Sequence, residues 1–193
     1  MGRYDFFPQR RILTLDSCES TNTLMKDRIK DGSLPQFAVI RALSQSGGRG
    51  RLGRSFFSPA GGLYFSAVYP LNGDEKEVAA ITLLAGLEAQ RAIKDLCGLD
   101  TRIKLPNDIY VGDKKLCGIL CESIFAGGDS MTAIVGMGIN LDLRDSVLPP
   151  ELQSIVTSIA GEGKAPPDGN ALIKNILRGL DLIVYKEELL YGV

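Results

Sequence analysis

The chain has 193 residues, 45% hydrophobic and 23% charged, with 22 Gly, 9 Pro, 4 Cys and neither His nor Trp. Its 22 Lys+Arg against 23 Asp+Glu give a net charge of −1, a balance without the cationic excess that phosphate neutralisation by a DNA-binding protein requires. Lack of His excludes Ser-His-Asp and Cys-His nucleophile systems, imidazole general bases and His-ligated metal sites, so any chemistry rests on Lys, Arg, carboxylates, hydroxyls, thiols or the backbone.

In chain order, Arg11 to Asp16 alternates and is rich in β-formers, which predicts a short strand. Ser20-Thr21-Asn22 offers capping oxygens to a helix over Thr23 to Lys30, closed by Gly32 and Pro35. Phe37 to Leu43 and Leu63 to Tyr69 read as buried strands. Between them, Gly48-Arg49-Gly50-Arg51-Leu52-Gly53-Arg54 is too rich in glycine for a regular element. Helical spacing of Val78, Ile81, Leu84, Ala85, Ile93 and Leu96 predicts a helix from Glu75 to Leu96, with Gly98 as its C-cap. Strand pieces at Thr101 to Lys104 and Asp108 to Val111 flank Pro106. Turns at Gly112-Asp113 and Gly127-Gly128-Asp129 then separate strands at Leu116 to Phe125 and Met131 to Ile139, two hairpins that imply antiparallel pairing. A short helix is expected from Glu151 to Ile159, and a long amphipathic one after Asp168, its cap, through Leu172, Ile173, Ile176, Leu177, Leu180, Ile183 and Val184. The pattern predicts a single α+β domain over residues 1–193, with a mixed, largely antiparallel sheet and helices packed on one side.

No apolar run reaches the roughly 18–20 residues of a membrane-spanning helix, and Met1 to Arg11 has neither the apolar segment nor the cleavage site of a secretory signal. Cys18, Cys97, Cys117 and Cys121 are scattered through mostly apolar sequence, as reduced thiols of a cytoplasmic protein would be.

Several motifs could carry chemistry. The Gly48–Arg54 run combines backbone N–H groups that approach a ligand closely with planar, permanently charged forks, the make-up of an anion-binding loop. The same composition suits a solvated basic loop or an RNA-contacting Arg-Gly segment, but no Lys-Ser/Thr follows it as in a nucleotide P-loop. Pro106-Asn107-Asp108 is either a polar strand edge or an ordinary turn. Lys115, beside Leu116 and Cys117, either snorkels to solvent or is held inward by an anion. Gly136-Met137-Gly138-Ile139-Asn140 suits close approach to a flat ligand, or a bulge.

Taken together and in this order, Ser20-Thr21-Asn22, Gln45 with Gly48-Arg49-Gly50-Arg51, Lys104 to Asp108, Lys115 to Leu120 and Gly136 to Asn140 resemble the catalytic domain of biotin protein ligases, from about Arg11 to Val184. The resemblance implies that ATP activates biotin to biotinyl-5′-AMP, whose acyl group passes to one lysine of the biotin carboxyl carrier protein of acetyl-CoA carboxylase or a related carboxylase. A binding homologue with little transfer, or a lipoate-type ligase on the same fold, are the alternatives. By the same resemblance Lys115, Arg49 and Arg51 are the catalytic candidates. Ser20, Thr21, Asn22, Gln45, Gly48, Arg49, Gly50, Arg51, Lys115 and Gly118 are the biotin-binding candidates; Arg51, Phe56, Lys104, Asn107, Asp108 and Asn140 serve the nucleotide, and Asp108 helps place Mg²⁺. Leu105 stands where the family usually has Trp, and Phe56 where it often does. Relatives often carry a C-terminal SH3-like domain, and some an N-terminal winged helix that represses transcription. Neither is expected here, and so no DNA binding; a homodimer through sheet edges, as family members form, is a further expectation.

Overall fold

The computed structural model describes residues 10–34, 37–71, 75–125 and 131–185. They form a seven-stranded sheet from β1 (Arg11–Leu15), β2 (Ala38–Ala42), β3 (Gly62–Leu71), β4 (Arg102–Lys104), β5 (Asp108–Val111), β6 (Lys114–Phe125) and β7 (Met131–Asn140). Their spatial order is β1-β2-β3-β7-β6-β5-β4. Only the β1–β2 pair is parallel, and every other pair is antiparallel. The sheet is therefore mixed and largely antiparallel, as its sequence pattern predicts.

Four α-helices accompany it among the described residues: α1 (Thr21–Lys30), α2 (Glu75–Cys97), α3 (Pro150–Gln153) and α4 (Gly169–Val184). Helix α2 buries Ile81, Ala85, Ala89, Ala92 and Ile93, the stripe its helical period prescribes, and ends before Gly98 at φ +62°. Helix α4 buries Leu172, Ile173, Ile176, Leu177 and Leu180, and the Asp168 side chain accepts from the Ala171 N–H at 2.8 Å. These residues meet Val39, Leu63, Phe65, Ala67, Val135 and Met137 in one core on one face of the sheet. Each fully buried aliphatic side chain there stabilises the fold by about 1.5–3 kcal/mol. At the far end of this face Asp181 of α4 accepts from Arg10 at 2.6 Å and from the Tyr69 hydroxyl at 2.8 Å; Asp181 and Tyr69 are buried, as is the side chain of the part-buried Arg10.

Two expectations need correction. The helices do not all lie on one side. Parallel pairing of β1 with β2 requires a crossover, and its helix, α1, lands on the opposite face, where Met25 packs against Ile40 and Ile134. Nor does the segment from Glu151 to Ile159 form one helix. α3 stops at Gln153, because the backbone beyond is taken by the sheet: Lys115 N–H donates to Ile155 O at 2.8 Å, Thr157 N–H to Lys115 O at 2.9 Å, and Ile159 N–H to Asn140 O at 3.0 Å. Pro35 and the expected Gly127-Gly128-Asp129 turn lie outside the described residues. Helix α1 covers the β2–β3–β7 part of its face. Towards β5 and β4 that face opens into a cavity.

Candidate functional site

The cavity has a volume of about 410 Å³ and is walled by α1, the Gly48–Phe56 loop and strands β5, β6 and β7. Its floor is the sheet. Gly118 and Gly138 are direct partners across β6 and β7, and Gly136 is opposite Leu120. A Cβ on Gly138 would lie 2.5 Å from the Phe56 ring and one on Gly118 2.9 Å from it, so the ring rests directly on backbone. At Gly136 the close neighbour is the Asn22 amide, 2.1 Å from where a Cβ would be. Only glycine allows both approaches.

One end of the cavity is neutral and closely hydrogen-bonded. Ser20 caps α1, and Thr21 and Asn22 occupy its first turn, all three buried. Asn22 donates through Nδ2 to Glu122 Oε2 at 2.9 Å and to Leu120 O at 3.2 Å. Its Oδ1 accepts from Ser66 Oγ at 2.6 Å, and Ser66 Oγ lies 2.8 Å from Thr21 Oγ1. Gln45 Oε1 accepts the Thr21 N–H at 2.8 Å, Gln45 Nε2 donates to Ser58 Oγ at 2.9 Å, and Ser58 donates to Phe56 O at 2.9 Å. This chain ties α1 to the root of the arginine loop.

The other end is cationic. Arg49, Arg51, Arg54, Lys104 and Lys115 line it, and among the described residues Asp108 is the one acidic side chain on the wall. The loop is a small hairpin: Phe56 N–H donates to Gly48 O at 2.8 Å and Gly50 N–H to Arg54 O at 2.7 Å, closed by a 3-10 turn at Arg51–Gly53. Leu52 and Gly53 hold φ of +57° and +73° at its tip, a conformation that costs about 1–2 kcal/mol at Leu52. Arg51, Leu52 and Arg54 are exposed, and Arg49 reaches Glu19 at 3.5 Å. Lys115 Nζ lies 2.7 Å from Asp108 Oδ1, an ionic contact not aligned as a hydrogen bond, and 5.5 Å above the centre of the Phe56 ring.

A β-bulge puts Lys115 there. Asp108 pairs with Gly118 and Ile109 with Cys117, but Tyr110 pairs with Lys115, so Leu116 is an extra residue in β6. Strict alternation would place Lys115 and Gly118 on opposite faces. With the bulge, Lys115, Gly118, Asp108 and Tyr110 share the cavity face, and Leu116 and Cys117 enter the core. Burial raises the thiol pKa of Cys117 and pushes that of Cys121 up to about 11.

Of the candidates named from sequence, Ser20, Thr21, Asn22, Gln45, Arg49, Gly50, Arg51, Phe56, Lys104, Asn107, Asp108, Lys115 and Gly118 line this one cavity. Gly48 and Asn140 do not. Gly48 is buried beneath the loop, where a Cβ would meet Phe56 O and Ser58 Oγ, both at 2.4 Å. Asn140 is buried and donates to Thr157 O at 2.8 Å, holding the 156–160 segment on the sheet. Asn107 has a foot in both roles, since its Nδ2 donates to Ile119 O at 2.8 Å. Sequence reasoning missed Tyr110, Ser66 and Glu122. Tyr110 lies on the wall beneath Lys104 Nζ, 4.8 Å from the ring centre, and the Asp108/Tyr110 alternation could have flagged it. Nothing local marks Ser66 or Glu122.

Fold and cavity together define an α+β protein with a site that is neutral and hydrogen-bonding at one end, cationic at the other. The chain belongs to the Biotin/lipoate A/B protein ligase family, whose sequence profile matches residues 14–140. It is 36% identical over 134 residues to the Bifunctional ligase/repressor BirA of Escherichia coli (strain K12), covering 69% of this chain and 41% of that protein. It is 29% identical over 177 residues to the Biotin--[acetyl-CoA-carboxylase] ligase of Mycobacterium tuberculosis (strain ATCC 25618 / H37Rv), covering 89% of this chain and 63% of the relative. Among solved structures it is similar to the biotin protein ligase from Aquifex aeolicus in complex with biotin and ATP, with a TM-score of 0.75, 29% identity, and coverage of 91% of this chain and 72% of the other. The chain thus spans less than two thirds of the length of these two curated relatives.

Proposed function

We propose that the protein is an ATP-dependent biotin ligase whose catalytic domain activates biotin to biotinyl-5′-AMP and transfers it to a lysine of a biotin carboxyl carrier protein. The observation that carries this is the polarity of the cavity. Its neutral hydrogen-bonding end suits an uncharged ureido ring, and its cationic end suits a carboxylate meeting a triphosphate. The names of the relatives, which include a biotin–[acetyl-CoA-carboxylase] ligase and a complex with biotin and ATP, support the same substrates and acceptor.

A biotin carboxylate oxygen attacks the α-phosphorus, pyrophosphate leaves, and a mixed anhydride forms. Bringing two anions together is the electrostatic problem, and a fixed ammonium between them offsets the repulsion. Lys115 is that cation. Its contact with Asp108 holds it on the wall until an anionic ligand competes for it. Arg49 and Arg51 sit on a hairpin that can fold over the adenylate, shielding it from water. The carrier amine then attacks the acyl carbon and AMP leaves. Phe56 roofs the Gly118–Gly138 floor and sets the width of the slot between ring system and phosphates.

Mg²⁺ accompanies the triphosphate in this reading. Among the described residues no group of three or more acidic or thiol side chains could hold a metal. The wall supplies Asp108 alone, which fits an ion held mainly by phosphate and water. No helix among the described residues is long and apolar enough to cross a membrane, and the four free thiols suit a cytoplasmic setting. The charge balance argues against a DNA partner, and β1, an edge strand among the described residues, suits homodimerisation.

The test is incorporation of labelled biotin into an apo carrier domain with ATP and Mg²⁺, together with ATP–pyrophosphate exchange. Biotin-dependent exchange and labelling of the carrier are expected. Exchange that responds to lipoate and ignores biotin, or no exchange with either acid, would overturn the proposal.

A further inference from the structure

Two lysines on the cavity wall are held in opposite ways. Lys115 is paired with Asp108, so a carboxylate already meets much of its charge. Lys104 is not held like this. Its register partner across β4 and β5 is the same Asp108, which turns to Lys115 instead, and among the described residues no carboxylate pairs with Lys104. What its ammonium does have is a ring: Nζ lies 4.8 Å from the centre of Tyr110. Strand alternation puts Arg102, Lys104, Asp108 and Tyr110 on the cavity face of the sheet, while Ile103 points back towards Gly86 of α2 and Ile109 enters the core. The ring also meets Arg102, 5.2 Å from its centre, whose guanidinium is taken by Gly112 O at 2.9 Å and Asp113 at 3.2 Å. The Tyr110 hydroxyl has no hydrogen-bond partner among the described residues. Its aromatic face is therefore the part of Tyr110 that the wall uses.

A carboxylate holds an ammonium by cancelling its charge, whereas an aromatic face holds it through the ring quadrupole and leaves the positive charge whole. We propose that Tyr110 is a positioning residue for the nucleotide: its ring holds the Lys104 ammonium at the cavity wall, with its charge intact for the phosphate chain of ATP. A lysine that meets an anion loses rotamer freedom, and the ring takes up part of that ordering before the ligand arrives. The identity of the anion rests on the ATP reading above. That Lys104 is held by a ring and by no carboxylate rests on the geometry alone.

The experiment measures KM for ATP in biotin-dependent ATP–pyrophosphate exchange and biotin Kd by calorimetry, with a thermal melt of each protein. The variants are Tyr110→Phe, Tyr110→Leu, Lys104→Met and the double variant Lys104→Met/Tyr110→Leu. Tyr110→Leu removes the ring and should raise KM for ATP about threefold to tenfold. Biotin Kd should stay within about twofold of wild type, since the ring acts at the cationic end only. Tyr110→Phe keeps the aromatic face and should match wild type in both. Lys104→Met should raise KM for ATP about tenfold or more, the effect of one lost charged contact. In that background Tyr110→Leu should change KM by less than about twofold, because the ring acts through the ammonium. A purely structural role would lower the melting temperature without separating the two ligands. Three results overturn the inference while leaving the ATP reading intact. They are a KM for ATP within about twofold of wild type in Tyr110→Leu or in Lys104→Met, a Tyr110→Phe protein as impaired as Tyr110→Leu, and a Tyr110→Leu effect that persists undiminished without Lys104. The last would mean that the ring touches the nucleotide directly. Absence of biotin-dependent exchange in the wild-type protein overturns both. Should Tyr110→Leu not fold, Tyr110→Thr, a strand-forming residue without a ring, takes its place in the same comparison, and an unchanged KM there overturns the inference equally.

Discussion

Replacing Gly136 with alanine would plant a methyl carbon 2.1 Å from Asn22 Oδ1, 2.7 Å from its Cγ and 2.8 Å from its Nδ2. Ordinary contact needs roughly 3.4 Å or more, so the amide must move by over an ångström. It has nowhere to go without losing hydrogen bonds to Ser66, Leu120 and Glu122. Two neutral bonds at about 1 kcal/mol each and one to a carboxylate at about 1.5–3 kcal/mol give a loss of about 3–5 kcal/mol. The alanine recovers about 0.4–1 kcal/mol through the unfolded chain. In a domain of this size each kcal/mol lowers Tm by about 2–4 °C, so Gly136→Ala should melt about 10 °C below wild type and bind biotin poorly. Gly138→Ala, two residues along the same face, provides the contrast. Its methyl would meet the Phe56 ring at 2.5 Å, but that ring belongs to a half-exposed hairpin able to swing. Stability should fall by about 1 kcal/mol or less, while the Phe56 ring is lifted off its seat in the cavity and turnover drops. Differential scanning fluorimetry and calorimetric biotin titration of both variants make the test. A Gly136→Ala protein that melts within about 2 °C of wild type and binds biotin normally would refute the reasoning.

Lys115→Ala should cut biotin-dependent ATP–pyrophosphate exchange by about a hundredfold or more, with a smaller loss of biotin affinity, since the ammonium acts where charge builds up in the transition state. Arg51→Ala should release biotinyl-5′-AMP faster, read as acid-quenched adenylate escaping into solution; an unchanged escape rate counts against the hairpin as a cover. Asp181→Ala strands the buried Arg10 and should destabilise by about 3–5 kcal/mol, whereas Arg10→Met/Asp181→Leu should be milder, as chemical denaturation would register. Burial raises the folded-state pKa of Cys121 to about 11 from 9.0. Its contribution to stability is therefore fully present below pH 9.0 and is lost as pH rises towards 11, because the unfolded chain ionises first. Denaturation midpoints measured over that interval should fall, and Cys121→Ala should flatten the slope.

Local pattern determined most of the elements and much of the site. Local residue patterns place all seven strands and the helices α2 and α4 within about two residues of their observed bounds, because amphipathic alternation is a property of neighbouring residues. The capping chemistry at Asp168 is local too, and is met as read, whereas of Ser20-Thr21-Asn22 only Ser20 caps, and α1 begins at Thr21, two residues before the expected start. The motif residues from Ser20 to Gly118 carried enough of a family's order to group the residues that line the cavity. Tertiary structure decided what depends on pairing across distance. No local signal shows that β1 and β2 run parallel, which sends α1 to the opposite face and leaves half of that face open. Leu116 looks like any apolar strand residue, yet its bulge turns Lys115 from the core towards the cavity. Ser66 and Glu122, unremarkable in sequence, acquire their places only when β3, β6 and α1 come together, since the direction of a hydrogen bond is settled by which acceptor lies on its far side.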